Sequence, residues 1–369
     1  MKIAILGFGT IGGGIEAILR DMPDVSVKRI FSRHVPEKFA AEASDFASIL
    51  QDEEIDTVAE ALGGVEPAYS YLCEAIRAGK NAVTANKAVV AAHYADLAAL
   101  AAENGVAFRF SAAVGGGIPW LPNLERLKRA DRPDLVGGIM NGTCNYILTR
   151  MVRDGAGFAE ALASAQEKGF AERDPSADID GLDARRKLLI SANTAFDCVL
   201  SEEEIPAFGI RHIRPEDFAA AAQAGKTVRL VNRAFREPDG RIRALTAPAF
   251  VPLSGAEAAV WENENRIFVR GERAGLQSFG GLGAGRYPTA LNLVQDLLDL
   301  GREKKVYYQK GFAPARLDDR GWLTRWYIRD LTGSRITEPA DTAETAALLQ
   351  ARLAAGEAVF AAVMEEGSR

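Results

Sequence analysis

The chain opens on a strand that runs straight into a glycine turn. Lys2–Leu6 (KIAIL) is an apolar run. Gly7, Gly9 and Gly12 follow in the spacing GxGxxG, and Gly14–Arg20 carries Ile15, Ile18 and Leu19 at helical spacing. The pattern then repeats. Strands are predicted at Val27–Phe31, Ile55–Glu60, Ala82–Ala85 and Val106–Phe110, with helices at Phe46–Leu50, Pro67–Ala78 and Tyr94–Asn104 between them. Gly79 and Gly105 follow two of these helices in the position that favours a left-handed cap. Strands alternating with helices at this spacing predict an α/β domain with a parallel sheet and crossover helices.

The alternation stops after Ala113, where Gly115–Gly117 and Pro119 interrupt it. Helices are then predicted at Leu121–Arg129, Asn145–Arg153, Phe158–Lys168 and Leu182–Phe196. Strands are predicted at Leu135–Met140, Thr227–Arg236, Ile242–Phe250, Trp261–Arg270 and Leu276–Phe279. This mixture predicts a second, α+β domain. The expected division is a Rossmann-type domain over 1–130, completed by part of 281–320, then a domain over 131–305 and a short tail over 321–369. The length of 369 residues, 48% of them hydrophobic, is enough for two cores. A net charge of -6 with interspersed signs points away from nucleic acid. No apolar run approaches the roughly 18 residues of a membrane span. Three distant cysteines and three histidines without ligand spacing argue against a thiolate or zinc site and for a reducing, cytoplasmic setting.

In a GxGxxG turn the first glycine permits the bend. The second lets backbone approach a pyrophosphate, and the third lets helix and strand pack closely. The helix N-terminus then offers free N–H groups to the phosphates. Gly7, Gly9, Thr10, Ile11 and Gly12 are therefore candidate dinucleotide-binding residues. An NAD-binding turn usually has a carboxylate at the end of the second strand. Here that stretch reads Lys28, Arg29, Ile30, Phe31, Ser32, Arg33, His34, with none. Ser32 and Arg33 suit a 2′-phosphate, so NADP is the expected preference and NAD the alternative. The plainer reading is that Lys28, Arg29 and Arg33 are ordinary surface cations.

Two further stretches carry groups able to move a proton. Lys87 follows the fourth strand at the carboxyl end of the sheet, where open parallel sheets bind ligands. A cation near a helix start is not favoured by the helix dipole, which sets it apart from a casual surface lysine. In Glu172–Lys187 (ERDPSADIDGLDARRK), Asp183 and Lys187 stand four residues apart on one helix face and can pair. The same spacing also describes a surface ion pair behind an acidic capping loop. Asn141, Gly142, Thr143 and Asn145 form a polar cluster between strand and helix, a pattern that can simply cap that helix.

Read together, several segments resemble one family, the homoserine dehydrogenases. They are GFGTIG at Gly7–Gly12, EALGG at Glu60–Gly64, VTANK at Val83–Lys87 and VGGGIP at Val114–Pro119. NGTCNYILTRM at Asn141–Met151, GFAERDPSADIDGLDARRK at Gly169–Lys187 and GLGAGRYPTA at Gly281–Ala290 complete the set. The resemblance runs from residue 1 to about 300 and fades after Lys304. It implies the reversible NAD(P)-dependent interconversion of L-homoserine and L-aspartate 4-semialdehyde, a step toward threonine, methionine and isoleucine. It also implies a Rossmann cofactor domain and a mixed catalytic domain that forms a homodimer. By the resemblance the catalytic lysines fall on Lys87 and Lys187, the substrate-binding carboxylates on Glu172 and Asp183, and a late cofactor-contacting glycine on Gly285. Some members hold a monovalent cation through backbone carbonyls matching Ser111, Val114, Gly116 and Ile118. Many carry a C-terminal ACT regulatory domain, and residues 321–369 are too short for a complete one. The alternatives are a dehydrogenase of another small amino alcohol or semialdehyde, and a nucleotide-binding sensor without turnover.

Overall fold

The computed structural model describes residues 1–302 and 313–366. The chain divides into two compact units. One comprises Met1–Arg129, Asp197–Val199 and Leu282–Pro314. The other comprises Ala130–Phe196, Leu200–Gly281 and Ala315–Arg369. The boundary expected at 305, and part of the completing segment expected within 281–320, lie outside the described residues.

The first unit is built on a five-stranded parallel sheet. Its order across the sheet is Ser26–Phe31, Lys2–Leu6, Thr57–Glu60, Asn81–Thr84, Phe108–Arg109. The first strand sits inside the order, so the chain winds away from it in both directions. That reversal is where doubly wound sheets open a ligand crevice at their carboxyl ends. Among the described residues a lone parallel bridge, Ile30 with Ala43, is all that extends the sheet beyond Ser26–Phe31. Ile3, Ala4, Ile5 and Leu6 are fully buried, as a sheet covered on both faces requires. Burying an isoleucine of this kind is worth roughly 1.5–3 kcal/mol. The helix Arg286–Arg302 returns from late in the sequence and adds Ala290, Leu293, Val294 and Leu297 to the same core as Ile3 and Ile15. It crosses the helix Thr10–Leu19 closely, since a Cβ on Gly14 would lie 2.9 Å from the Ala290 Cβ.

The second unit holds an eight-stranded mixed sheet. Its order is Gly275–Leu282, Glu264–Gly271, Pro133–Ile139, Lys226–Arg236, Ile242–Pro252, Phe360–Met364, Trp326–Asp330, Gly333–Ile336. The long hairpin of Lys226–Arg236 with Ile242–Pro252 pairs in unbroken antiparallel register at its centre. Alternation along the strands separates two layers. Phe250, Tyr327 and Phe360 face the helices Gly142–Asp154, Phe158–Glu167, Leu182–Phe196 and Pro215–Gln223. Leu245, Ala247, Trp326 and Ile328 face the other way, against Ala346 and Leu349 of Thr342–Ala354. The last residues thus add three strands and a helix to this sheet. Phe360–Met364 joins parallel to Ile242–Pro252 and antiparallel to Trp326–Asp330.

The sequence-based elements are largely recovered, with two informative differences. The fourth crossover helix starts at Lys87 rather than Tyr94, because the Asn86 side chain accepts from the Ala88 and Val89 N–H groups and caps it early. The acidic stretch expected as loop contains a helical turn, Ser176–Ile179, opened by the Asp174 carboxylate accepting from Ser176 N at 3.1 Å.

Candidate active site

In the first unit the glycine turn has the shape of a phosphate cradle. Gly7 has φ +93, and a Cβ there would lie 2.7 Å from the Ala61 carbonyl oxygen. A Cβ on Gly12 would lie 2.0 Å from the Gly7 carbonyl oxygen, so only glycine lets the helix start this close to the strand. Gly9, by contrast, faces open space, and as N-cap of Thr10–Leu19 it supplies no side chain to the free N–H groups. The residues present therefore fit a dinucleotide phosphate. Gly285 lies at the foot of Arg286–Arg302 with φ +123, and Arg286 Nη2 donates to the Gly13 carbonyl at 3.0 Å. That bond ties the helix behind one glycine turn to the helix behind the other, although the turns are distant in sequence.

Past the second strand, Ser32 Oγ accepts from Phe8 N at 3.2 Å and steadies the turn. Lys28 is held by Asp52 and Glu54, and Arg29 donates to the carbonyls of Lys28 and Ala41. Arg33 is exposed, with no ion pair to any described residue. Of the three cations weighed from sequence, two have structural employment.

Glu60, at the end of the third strand, is visible from sequence only as part of a motif. Its carboxylate is buried among Thr84 Oγ1, Leu62 N at 2.7 Å and Asn86 Nδ2 at 3.3 Å. Burial pushes its pKa up, and those donors oppose the shift. Asn86 also donates to the Gly64 carbonyl at 2.7 Å. One buried acid thus fixes the 62–64 loop and the cap of the helix that begins with half-buried Lys87.

The second unit holds the acid–lysine cluster. Asp183 and Lys187 lie in the helix Leu182–Phe196, and their charged atoms are 2.8 Å apart with both side chains more than nine-tenths buried. Lys187 Nζ also donates to the Met140 carbonyl at 2.8 Å. Other cations nearby in the sequence and fold are paired elsewhere. Arg185 and Arg186 are held by Glu202, and Arg211 forks onto Asp180 with two contacts of 2.7 Å. Asn141 does more than cap. Its Oδ1 accepts from Cys144 N at 2.7 Å, while its Nδ2 donates to Asp183 at 2.8 Å and to Asp178 at 2.6 Å. Asp178 and Asn141 were not singled out as site residues from sequence. Their partners are 37 and 42 positions apart, and no local pattern encodes such distances. Glu172 stands exposed on the preceding loop and makes no side-chain bond to this cluster. A buried ammonium held between a carboxylate and a carbonyl, at the mouth of a helix, can exchange a proton with an oxygen placed beside it.

Among the described residues no group of His, Cys, Asp and Glu could hold a metal ion. No helix among them is long and apolar enough to cross a membrane.

Comparison with known proteins decides the family. Residues 7–111 match the NAD binding domain of homoserine dehydrogenase, and residues 119–298 match the homoserine dehydrogenase family itself. The homoserine dehydrogenase of Bacillus subtilis is 36% identical over 321 residues, covering 83% of this chain and 74% of its own. That of Corynebacterium glutamicum is 38% identical over 351 residues, covering 89% and 79%.

The chain belongs to the homoserine dehydrogenase family.

Its activity is that of a homoserine dehydrogenase, in amino-acid biosynthesis, and it uses a nucleotide cofactor. A crystal structure of a homoserine dehydrogenase from Thiobacillus denitrificans superposes with a TM-score of 0.88 at 29% identity, covering 99% of this chain and 98% of that one. Family membership gives the Asp183–Lys187 pair a chemical setting. A dehydrogenase acting on an alcohol must manage the hydroxyl proton, and the pair lies in the matched segment 119–298.

Proposed function

We propose that this homoserine dehydrogenase interconverts L-homoserine and L-aspartate 4-semialdehyde with Lys187 as a proton-transfer group and NADP as its preferred dinucleotide. The observation that carries the first part is the buried pair, with Lys187 Nζ 2.8 Å from Asp183 and 2.8 Å from the Met140 carbonyl. In the alcohol-forming direction Nζ gives a proton to the oxygen as charge develops there, and takes it back in reverse. The ammonium also stabilises that charge in a water-poor setting. Asp183 holds Nζ in place, and Asn141 holds Asp183. Asp183 and Glu172 receive the substrate's ammonium. Lys87 is the second catalytic lysine, its backbone set by the Asn86 cap.

When bound, the dinucleotide exchanges the hydride. Gly7, Gly9, Thr10, Ile11, Gly12 and Gly285 hold it, and Ser32 and Arg33 take its 2′-phosphate. Arg33, exposed and without an ion pair among the described residues, and the carboxylate-free end of the second strand support NADP. The homodimer uses the sheet face left open beside Thr342–Ala354. A groove of about 480 Å³ there is lined by Val231, Phe235, Leu245, Phe268, Leu276 and Trp322, and Leu276 is 62% exposed. Widely spaced cysteines support a cytoplasmic setting.

The test is spectrophotometric NADP reduction with L-homoserine. Lys187→Met and Lys87→Met should each lower kcat by about 100-fold or more, the usual scale of lost proton transfer. Near wild-type turnover in both variants defeats the assignment.

A further inference from the structure

The backbone of Ser111, Val114, Gly116 and Ile118 is the stretch that the resemblance links to a monovalent cation. In this chain a side chain reaches it first. Asn292, in the helix Arg286–Arg302 and 4% exposed, donates from Nδ2 to the Gly116 carbonyl at 2.5 Å and to the Ile118 carbonyl at 2.9 Å. One turn further on, Asp296 accepts from Ser111 N at 2.8 Å, from Ser111 Oγ at 2.8 Å and from Arg109 Nε at 3.2 Å. Arg109 also reaches Asp299 at 2.6 Å. A single helix face therefore fastens residues 109–118.

We infer that the Asn292 carboxamide does here what a bound cation would do, so this enzyme holds the 111–118 segment without sodium or potassium. A cation gathers carbonyl oxygens by placing positive charge among their dipoles. An amide NH₂ places two partly positive hydrogens in the same position, one for each oxygen. Two donors meet two acceptors. The nitrogen lies within hydrogen-bond distance of both oxygens, so an ion shared by the same pair competes with it for that volume. The Asp296 carboxylate is already shared by Ser111 and Arg109.

The test is thermal melting of the full-length protein in sodium, potassium or choline chloride at matched ionic strength, with turnover measured in parallel. Wild type should melt at the same temperature in all three salts, within about 1 °C, because an ion that binds the folded state raises its midpoint with concentration. Asn292→Asp removes the donor and adds an oxygen. It should melt below wild type in choline and recover in sodium or potassium. A wild-type midpoint that climbs with either metal ion over choline overturns the inference. An Asn292→Ala protein that melts with wild type in choline also overturns it, as does failure of both ions to recover Asn292→Asp. Melting needs neither substrate nor dinucleotide, so these outcomes are independent of the assigned proton-transfer residues.

Discussion

Asp183→Asn is the sharpest probe of the acid–lysine cluster. It keeps the side chain's shape and leaves an oxygen able to accept from Asn141, but it removes the charge 2.8 Å from Lys187 Nζ. Lys187 then faces a neutral amide oxygen in place of the carboxylate, beside the Met140 carbonyl at 2.8 Å, with its ammonium more than nine-tenths buried. Breaking a buried pair in this way costs about 3–5 kcal/mol, and the retained carbonyl and isosteric amide place the loss near the lower end. For a cooperative unit of about 200 residues, 1 kcal/mol moves the midpoint by about 2–4 °C, so a drop of roughly 6–12 °C is expected by calorimetry. Adding Lys187→Met should give back much of that loss, since the unpaired buried charge goes with it. Turnover should fall in both variants. Two results refute the reasoning: an Asp183→Asn midpoint within about 1 °C of wild type, or a double variant whose loss is the plain sum of the singles.

Asn141→Ala should lower kcat for homoserine and the melting midpoint together, because it releases both Asp178 and Asp183 and uncaps Gly142–Asp154. Steady-state kinetics beside a melt would show the joint effect, and an unchanged kcat would remove Asn141 from the site. Arg33→Ala should cut the NADP-over-NAD ratio of kcat/KM by about tenfold, the scale of one charge-assisted contact to phosphate. An unchanged ratio would return Arg33 to the surface cations. Asp319 gives a pH prediction. Burial pushes its carboxyl up to about 6, with the Ala244 N–H as its hydrogen-bond partner at 3.3 Å. The unfolded chain releases that proton near 3.8 and the folded chain near 6, so stability falls as pH rises across this window and stays lowered above it. Asp319→Asn should therefore be more stable than wild type at pH 7 by on the order of 1–3 kcal/mol, with the gap closing below about pH 4. Denaturant melts at the two pH values check it, and a gap that persists in acid would contradict it.

Much of the first unit is legible in the chain because its signals are local. Apolar runs of strand length, glycine stops and the GxGxxG spacing each act over a few residues, and they locate Lys2–Leu6, Thr10–Leu19 and the sheet that follows. The Asp183–Lys187 pair is legible for the same reason, since four residues along a helix bring side chains together whatever surrounds them. The cap at Asn86 was within reach of the same reasoning. An asparagine directly before Lys87 is an N-cap signal, yet the alanine-rich run after Tyr94 is the stronger helical pattern.

Local sequence cannot encode whether a pair is buried, or what else touches it. Whether Lys187 is a solvated surface cation or an enclosed ammonium depends on Met140 and Asn141, more than forty positions away. The fate of the last fifty residues depends on an open edge at Ile242–Pro252 to which Phe360–Met364 can add. Asn292 reads as one polar residue in an apolar helix until the fold lays it against Gly116 and Ile118. The sequence by itself determined the alternating sheet, the glycine turn and the Asp183–Lys187 pairing, because these follow from backbone sterics and short-range periodicity. Tertiary structure decided which charges are desolvated, which carbonyls are already taken and which distant loops share a helix, because burial and long-range hydrogen bonds exist only once the chain has closed on itself.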